Sequence, residues 1–213
     1  MNSLYIKGIS TGIFLFILMM LGLFLFQNIV NANSQSGYTR LQIIDPNSIQ
    51  GNLTAIPEKR IPNVNETQVQ NLSTLMRLKF YHAGADRTNE ANVVTTTMVT
   101  TSDSGTEYYY IDAFTTSSFD VVGKGYSHLS RALTGVTPVN GVANLDFTNS
   151  GADPLLSGDI NQSLGDDEIN ALDISVLVNA WGQDDSRADL NQDHEVNSID
   201  ISNLLSNFNE TGD

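Results

Sequence analysis

Cysteine is absent from the 213 residues, so no disulfide braces the chain and any stapling must come from another source. Bases are scarce: 10 Lys and Arg stand against 24 Asp and Glu, a net charge of −14. An acidic surface of that kind argues against nucleic acid or an anionic membrane surface as partner. There are three histidines, His82, His128 and His194, and none has a partner Ser, Cys or carboxylate at a recognisable motif spacing. No catalytic signature is therefore present, and the chain is expected not to be an enzyme. A glycosidase would need two carboxylates roughly 5–9.5 Å apart in a cleft. The middle of the chain, with few acids, leaves little room for such a pair.

What the chain does have is unevenly placed. From Leu155 to Asp213 there are 13 acids against Arg187 alone, a net of −12, whereas residues 1–154 carry only −2. One long apolar run exists, Gly8 to Val30, without a charged residue and close to the ~20 residues that a helix needs to cross a bilayer. Lys7 precedes it and no base follows until Arg40, so residues 1–7 are expected inside and everything after residue 30 outside. The run exceeds an ordinary signal core, which favours a retained anchor at the membrane over residues 8–30. Val30-Asn31-Ala32 offers a small-x-small site, and the alternative is secretion after cleavage near Ala32.

The acidic third writes one pattern twice. Glu168, Asn170, Asp173, Ile174, Ser175 and Leu177 recur 27 residues later as Glu195, Asn197, Asp200, Ile201, Ser202 and Leu204. Counted from Asp189, the residues Asp189, Asn191, Asp193, Glu195, Asn197 and Asp200 fall at positions 1, 3, 5, 7, 9 and 12. Those are the positions at which a calcium loop presents oxygen. Position 6, normally a glycine that permits the sharp turn, is His194. The first copy begins Asp159, Asn161 and then carries Gln162 to Gly165 where one residue would separate positions 3 and 5. If that insertion bulges outward, Asp166, Glu168, Asn170 and Asp173 take positions 5, 7, 9 and 12. Each loop runs into an apolar stripe at helical spacing, Ile174, Leu177, Val178, Trp181 and Ile201, Leu204, Leu205, Phe208, which a disordered acidic tail would not need.

The string GDIN…EINALDISVLVNAWG…ADLNQDHEVNSIDISNLL resembles a type I dockerin, over about residues 155–213. The resemblance implies two calcium ions, two antiparallel helices packed on each other, and docking onto a cohesin-type domain of another protein. It also implies that the two residues before the final loop aspartate, Ala171-Leu172 and Ser198-Ile199, begin each helix and help to select the cohesin.

Residues 31–71 are rich in Asn, Ser, Gln, Thr and Pro and read as a polar linker, with Leu41 to Ile44 as an optional strand. From Leu75 the pattern turns to period two: Leu75–Tyr81, Val93–Thr101, Tyr108–Phe114, Phe119–Val122 and Ala143–Phe147 read as strands of a small antiparallel β-sandwich over 72–150. This part resembles the prealbumin-like sandwiches found beside dockerins. Tyr108, Tyr109 and Tyr110 offer ring surface for a sugar, but strand alternation sends Tyr109 to the opposite side, so at least one belongs to the core. The expected architecture is thus multi-part: an N-terminal transmembrane or signal helix, a small antiparallel β-sandwich, and an all-α pair of calcium loop-helix motifs. The function expected is non-catalytic, calcium-dependent docking onto a cohesin at the cell surface. The alternative is a carbohydrate-binding component of a polysaccharide-degrading assembly.

Overall fold

The computed structural model describes residues 30–35, 38–43, 48–58, 72–112, 117–148 and 154–213. The chain divides into two compact units, Met1–Pro46 and Asn47–Asp213. In the first, β1 (Val30–Gln35) and β2 (Tyr38–Ile43) pair antiparallel, from Val30↔Ile43 to Gln35↔Tyr38. The anchor expected over residues 8–30 lies outside the described residues apart from Val30, which opens β1. Among the described residues no helix is long and apolar enough to cross a membrane.

The second unit begins with a sandwich of two sheets. Its strands are β3 (Ile49–Thr54), β4 (Leu75–His82), β5 (Val93–Thr100), β6 (Thr106–Ile111), β7 (Phe119–Gly125), β8 (Ser130–Val136) and β9 (Leu145–Asp146). One sheet has the order β6-β3-β9 and the other β5-β4-β7-β8. β4 shows why a sandwich forms: Met76, Leu78 and Phe80 point inward and are fully buried, while Arg77 and Lys79 alternate outward. The inward set joins Ile49, Leu53, Tyr109, Ile111, Phe119, Val121, Leu145 and Phe147 in one core. Tyr109 is part of that core, stacked 6.3 Å from Phe80 and donating its hydroxyl to the Ala143 carbonyl at 2.6 Å. Tyr108 and Tyr110 face the other way, and the Tyr108 hydroxyl meets Gln50.

Three sequence expectations are corrected here. β3 lies inside the stretch read as a linker, yet it is the central strand of its sheet, paired with β6 from Ile49↔Ile111 to Thr54↔Thr106. Its low apolar content has a steric cause: a Cβ on Gly51 would fall 1.9 Å from the Ala143 carbonyl oxygen, so only glycine lets the two backbones approach. The sandwich is not wholly antiparallel either, because β9 runs parallel to β3. β8 was not expected, since SRALTGV lacks a clean alternation, and its outer residues are half-buried or exposed.

The acidic third is continuous with the sandwich. Leu155 sits in the sandwich core, its N–H donating to Ile56 at 2.8 Å and its carbonyl accepting from Glu58 at 3.0 Å. Leu129, from the loop before β8, sits instead in a second core with Ile160, Ile169, Leu177, Ala180, Ala188, Leu190, Val196 and Leu204. The two cores thus exchange one leucine each.

Candidate calcium loops and their helices

Two short helices follow the two loops: α1 (Ala171–Asn179) and α2 (Ser198–Ser206). Each begins with a capping box. Asn170 accepts from Leu172 N–H at 2.8 Å while Asp173 accepts from Asn170 N–H at 2.8 Å, and Asn197, Ile199 and Asp200 repeat this at 2.8 and 2.9 Å. Position 9 therefore satisfies a helix N-terminus, and position 12 ties the loop to the helix that follows it.

The two loops are built alike despite the insertion. In the second, Asp189 Oδ1 accepts from Asp193 N–H at 3.1 Å and Oδ2 from His194 N–H at 2.8 Å. In the first, Asp159 Oδ1 accepts from Asp166 N–H at 3.0 Å and Oδ2 from Asp167 N–H at 2.9 Å. Asp166 thus stands where Asp193 does, and Asp167 where His194 does. The left-handed backbone repeats as well: φ is 68° at Gly165 and 62° at Gln192, then 72° at Asp167 and 74° at His194. The extra residues are absorbed before Gly165. The segment after each helix closes on the buried position-8 residue of the other loop: Gly182 and Gln183, after α1, exchange backbone bonds with Val196, and Asn209 and Glu210, after α2, with Ile169.

The donor set suits a hard, oxygen-seeking cation. Asn161 Nδ2 donates to Asp166 at 2.6 Å, yet its buried Oδ1 has no hydrogen-bond partner among the described residues, which leaves an acceptor open. Its counterpart Asn191 Oδ1 accepts from Asp193 N–H at 2.9 Å. At position 12, Asp173 Oδ1 takes Ile160 and Asn161 N–H at 2.7 and 2.9 Å, and Asp200 Oδ1 takes Leu190 and Asn191 N–H at 2.8 and 3.2 Å. Each of these carboxylates accepts three N–H groups out of about four lone-pair sites, so one oxygen rather than two is open to an ion as the loops stand. Burial pushes Asp159 above the ordinary carboxylate range, and its Lys124 and N–H partners pull it only part of the way back. Asp200 is also raised, first by burial and further by Asp189, against the pull of three N–H donors. Both loops therefore hold buried carboxylates for which a cation would relieve the burial cost. Glu168 and Glu195 keep exposed side chains at position 7, where a calcium loop uses the backbone carbonyl instead.

Some of what surrounds the loops is not legible in the motif. The ammonium of Lys124, on β7, reaches Asp159 Oδ2, and Ser130 on β8 donates to both oxygens of Asp167. Asp184, Asp189 and His194 bring one ligand atom each within 4.8 Å of one another. The alternation of FDVVGKG places Lys124 on the outer face of its sheet, but nothing local says that a loop about 35 residues later covers it.

The helical stripes are narrower than their spacing suggests. Leu177 and Leu204 are fully buried and Ile174 and Ile201 half-buried, whereas Val178, Trp181 and Leu205 are about half exposed and Phe208 is 36% exposed. Helices of nine residues bury only one edge, and the flanking positions stay in water. Ala171, Leu172, Ser198 and Ile199 are all exposed, with Leu172 at 59% and Ile199 at 47%.

Comparison with known proteins places this geometry. Residues 157–209 match the family model of the dockerin type I domain. No curated protein is similar enough in sequence to match. A chain in the crystal structure of a C-terminal interface mutant of a type II cohesin-X-dockerin complex from Acetivibrio cellulolyticus aligns with a TM-score of 0.52 and 17% identity, covering 77% of this chain and 97% of that one. A chain in the N-terminal interface mutant of the same complex gives 0.47 and 19%, covering 78% and 97%. Two capped loop-helix motifs of matching internal geometry, in the stretch that the family model covers, identify residues 157–209 as a dockerin type I domain.

Proposed function

We propose that this chain is a non-catalytic docking protein, in which the dockerin module binds calcium and attaches to a cohesin-type domain outside the cytoplasm. The observation that carries the reading is the repeated exposed pair at the two helix starts. Leu172 and Ile199 occupy the same helical position, each one residue before the aspartate that closes its loop, and both are exposed aliphatics beside polar surface. Exposed apolar residues presented twice on rigid, capped helix ends are suitable anchors for a partner. Calcium enters because the anchors are held by Asp173 and Asp200, which belong to the loops. Attachment near the membrane rests on the apolar run at residues 8–30, with secretion after cleavage as the alternative.

The test replaces Ala171, Leu172, Ser198 and Ile199 together by Asp in the full chain and titrates it against a panel of purified cohesin domains, with calcium and with chelator. All four are changed because either helix start can meet the same partner. Calcium-dependent binding by the parent chain, lost in the variant while helical circular dichroism is retained, is the expected outcome. Unchanged binding by the variant would place the interface elsewhere, and no binding by the parent chain to any cohesin would overturn the docking reading.

A further inference from the structure

The outer face of the four-stranded sheet is where polar side chains should meet water, and Lys124 occupies such a position, opposite Arg77 on β4 and Ser130 on β8. Its side chain is nevertheless only 3% exposed. The reason is that the first calcium loop lies over it. The ammonium donates to Asp159 Oδ2 and to the His128 carbonyl, the latter at 2.5 Å, and it lies 3.3 Å from Asp167 Oδ1. Around it, Ser130 binds Asp167 through its N–H and hydroxyl, Gly212 N–H binds the Asp167 carbonyl at 2.9 Å, and Gly158 N–H binds the Ser127 carbonyl at 2.9 Å. A fully buried position-1 aspartate thus has a positive charge delivered to it by the sandwich. In the second loop, the ammonium has no equivalent among the described residues. Asp189, also buried, accepts the same two backbone N–H bonds, and its neighbour at position 6 is an exposed histidine rather than an acid clamped to a sheet.

The two loops should therefore behave differently without metal. A buried carboxylate that lacks a counter-charge is costly, and a calcium loop ordinarily relies on its ion for that charge. We infer that Lys124 is a built-in cation for the first loop: it holds Asp159 and the surrounding turn closed in the absence of calcium, and by its like charge it weakens calcium binding there relative to the second loop. The ammonium shares Oδ2 with the Asp167 N–H, while Oδ1 accepts the Asp166 N–H. Its charge opposes that of an arriving cation. A unit charge a few ångströms from a divalent ion at a partly buried site changes affinity by about tenfold or more.

This inference rests on the calcium reading of the loops, and the test separates the two. Thermal melts of the full chain and of Lys124→Met are compared in chelator and in saturating calcium. Methionine keeps the length and removes the charge, so Asp159 is left buried and unpaired until calcium arrives. The expected result is that Lys124→Met is less stable than the parent in chelator and gains more from calcium than the parent does, as a tighter site must. An equal or smaller gain would overturn the role of Lys124 while leaving calcium binding intact. No calcium effect on either chain would overturn both. A second measurement needs no substitution: hydrogen exchange of the full chain in chelator. The amides of Asp166 and Asp167 should exchange about tenfold or more slowly than those of Asp193 and His194, which make the same bonds to an aspartate without a lysine. Equal exchange in the two loops would refute the latch.

Discussion

Gly165 and Asp159 stand so close that a Cβ on the glycine would fall 2.0 Å from the aspartate's Oδ1. This contact explains how a loop with extra residues keeps the geometry of its shorter twin. The insertion ends in a glycine at φ 68°, which lets the backbone turn over the carboxylate so that Asp166 N–H reaches it. Gly165→Ala should cost about 2–4 kcal/mol, combining a disfavoured φ with a clash against a buried side chain. Denaturant unfolding of the full chain measures this, and a change below about 0.5 kcal/mol would show that the turn relaxes freely.

Position 6 of the second loop offers the opposite change. His194 adopts φ 74°, and its exposed imidazole lies 3.5 Å from the exposed Asp184, with the Asp189 carboxylate within 4.8 Å. A left-handed conformation costs a residue with a side chain roughly 1–2 kcal/mol, and glycine recovers part of it after its own entropy on folding. An exposed ion pair of this kind adds little. His194→Gly should raise stability by about 0.5–1 kcal/mol, seen as a higher thermal midpoint in calcium; a lower midpoint would mean that the histidine contributes something beyond its backbone.

Leu155 ties the dockerin to the sandwich. It is 1% exposed, packed in the sandwich core although it lies just before the first loop. Leu155→Ala should cost about 2–5 kcal/mol through the lost burial and the cavity left behind. Because backbone bonds on both sides of Leu155 join the two parts, the parent second unit is expected to unfold in one transition. Calorimetry should show the variant's transition lowered, and two separate transitions in the parent chain would disprove the coupling.

The raised carboxyls predict a pH dependence with a definite sign. Asp159 and Asp200 have folded-state pKa values above the ordinary carboxylate range, so the folded protein binds more protons than the unfolded chain in the window just above about 4. In chelator, their contribution to stability is then fully present below that window and is lost as pH rises through the raised values. On the calcium reading proposed above, both groups must be ionised to bind the ion, so the stabilisation it brings should grow as pH rises over the same window. Melts in chelator and in calcium from pH 4 to 7 would show this, and Asp200→Asn should flatten both profiles. An identical slope in Asp200→Asn would remove Asp200 as the source.

Much of the candidate site was legible in the chain because it is local. A calcium loop gathers its oxygens from about a dozen consecutive residues, so spacing alone proposes Asp189 to Asp200 as one ligand set, and the 27-residue repeat proposes Asp159, Asn161 and Asp166 to Asp173 as the other, across the insertion. The helix starts followed from the same spacing, since Asn170 and Asn197 bond amides only two residues away. Alternation along β4 was equally readable, because the two faces of a strand are set by its own backbone.

What the tertiary structure decided are the contacts made between distant segments. β3 is a strand because it is flanked by β6 and by the close backbone of Ala143, partners more than fifty residues away, and its own composition suggests a linker. Val178 is exposed on a nine-residue helix, and Trp181 lies past its end at Asn179 and is exposed too, facts that periodicity does not contain. Lys124 reads as a solvent-facing lysine on an outer strand face until the fold brings Asp159 over it. Sequence by itself determined which acids and amides each loop places at alternating positions, since these lie close along the chain. Only the packing of Lys124 and Ser130, on the sheet, against the first loop decided that the two copies are electrostatically different.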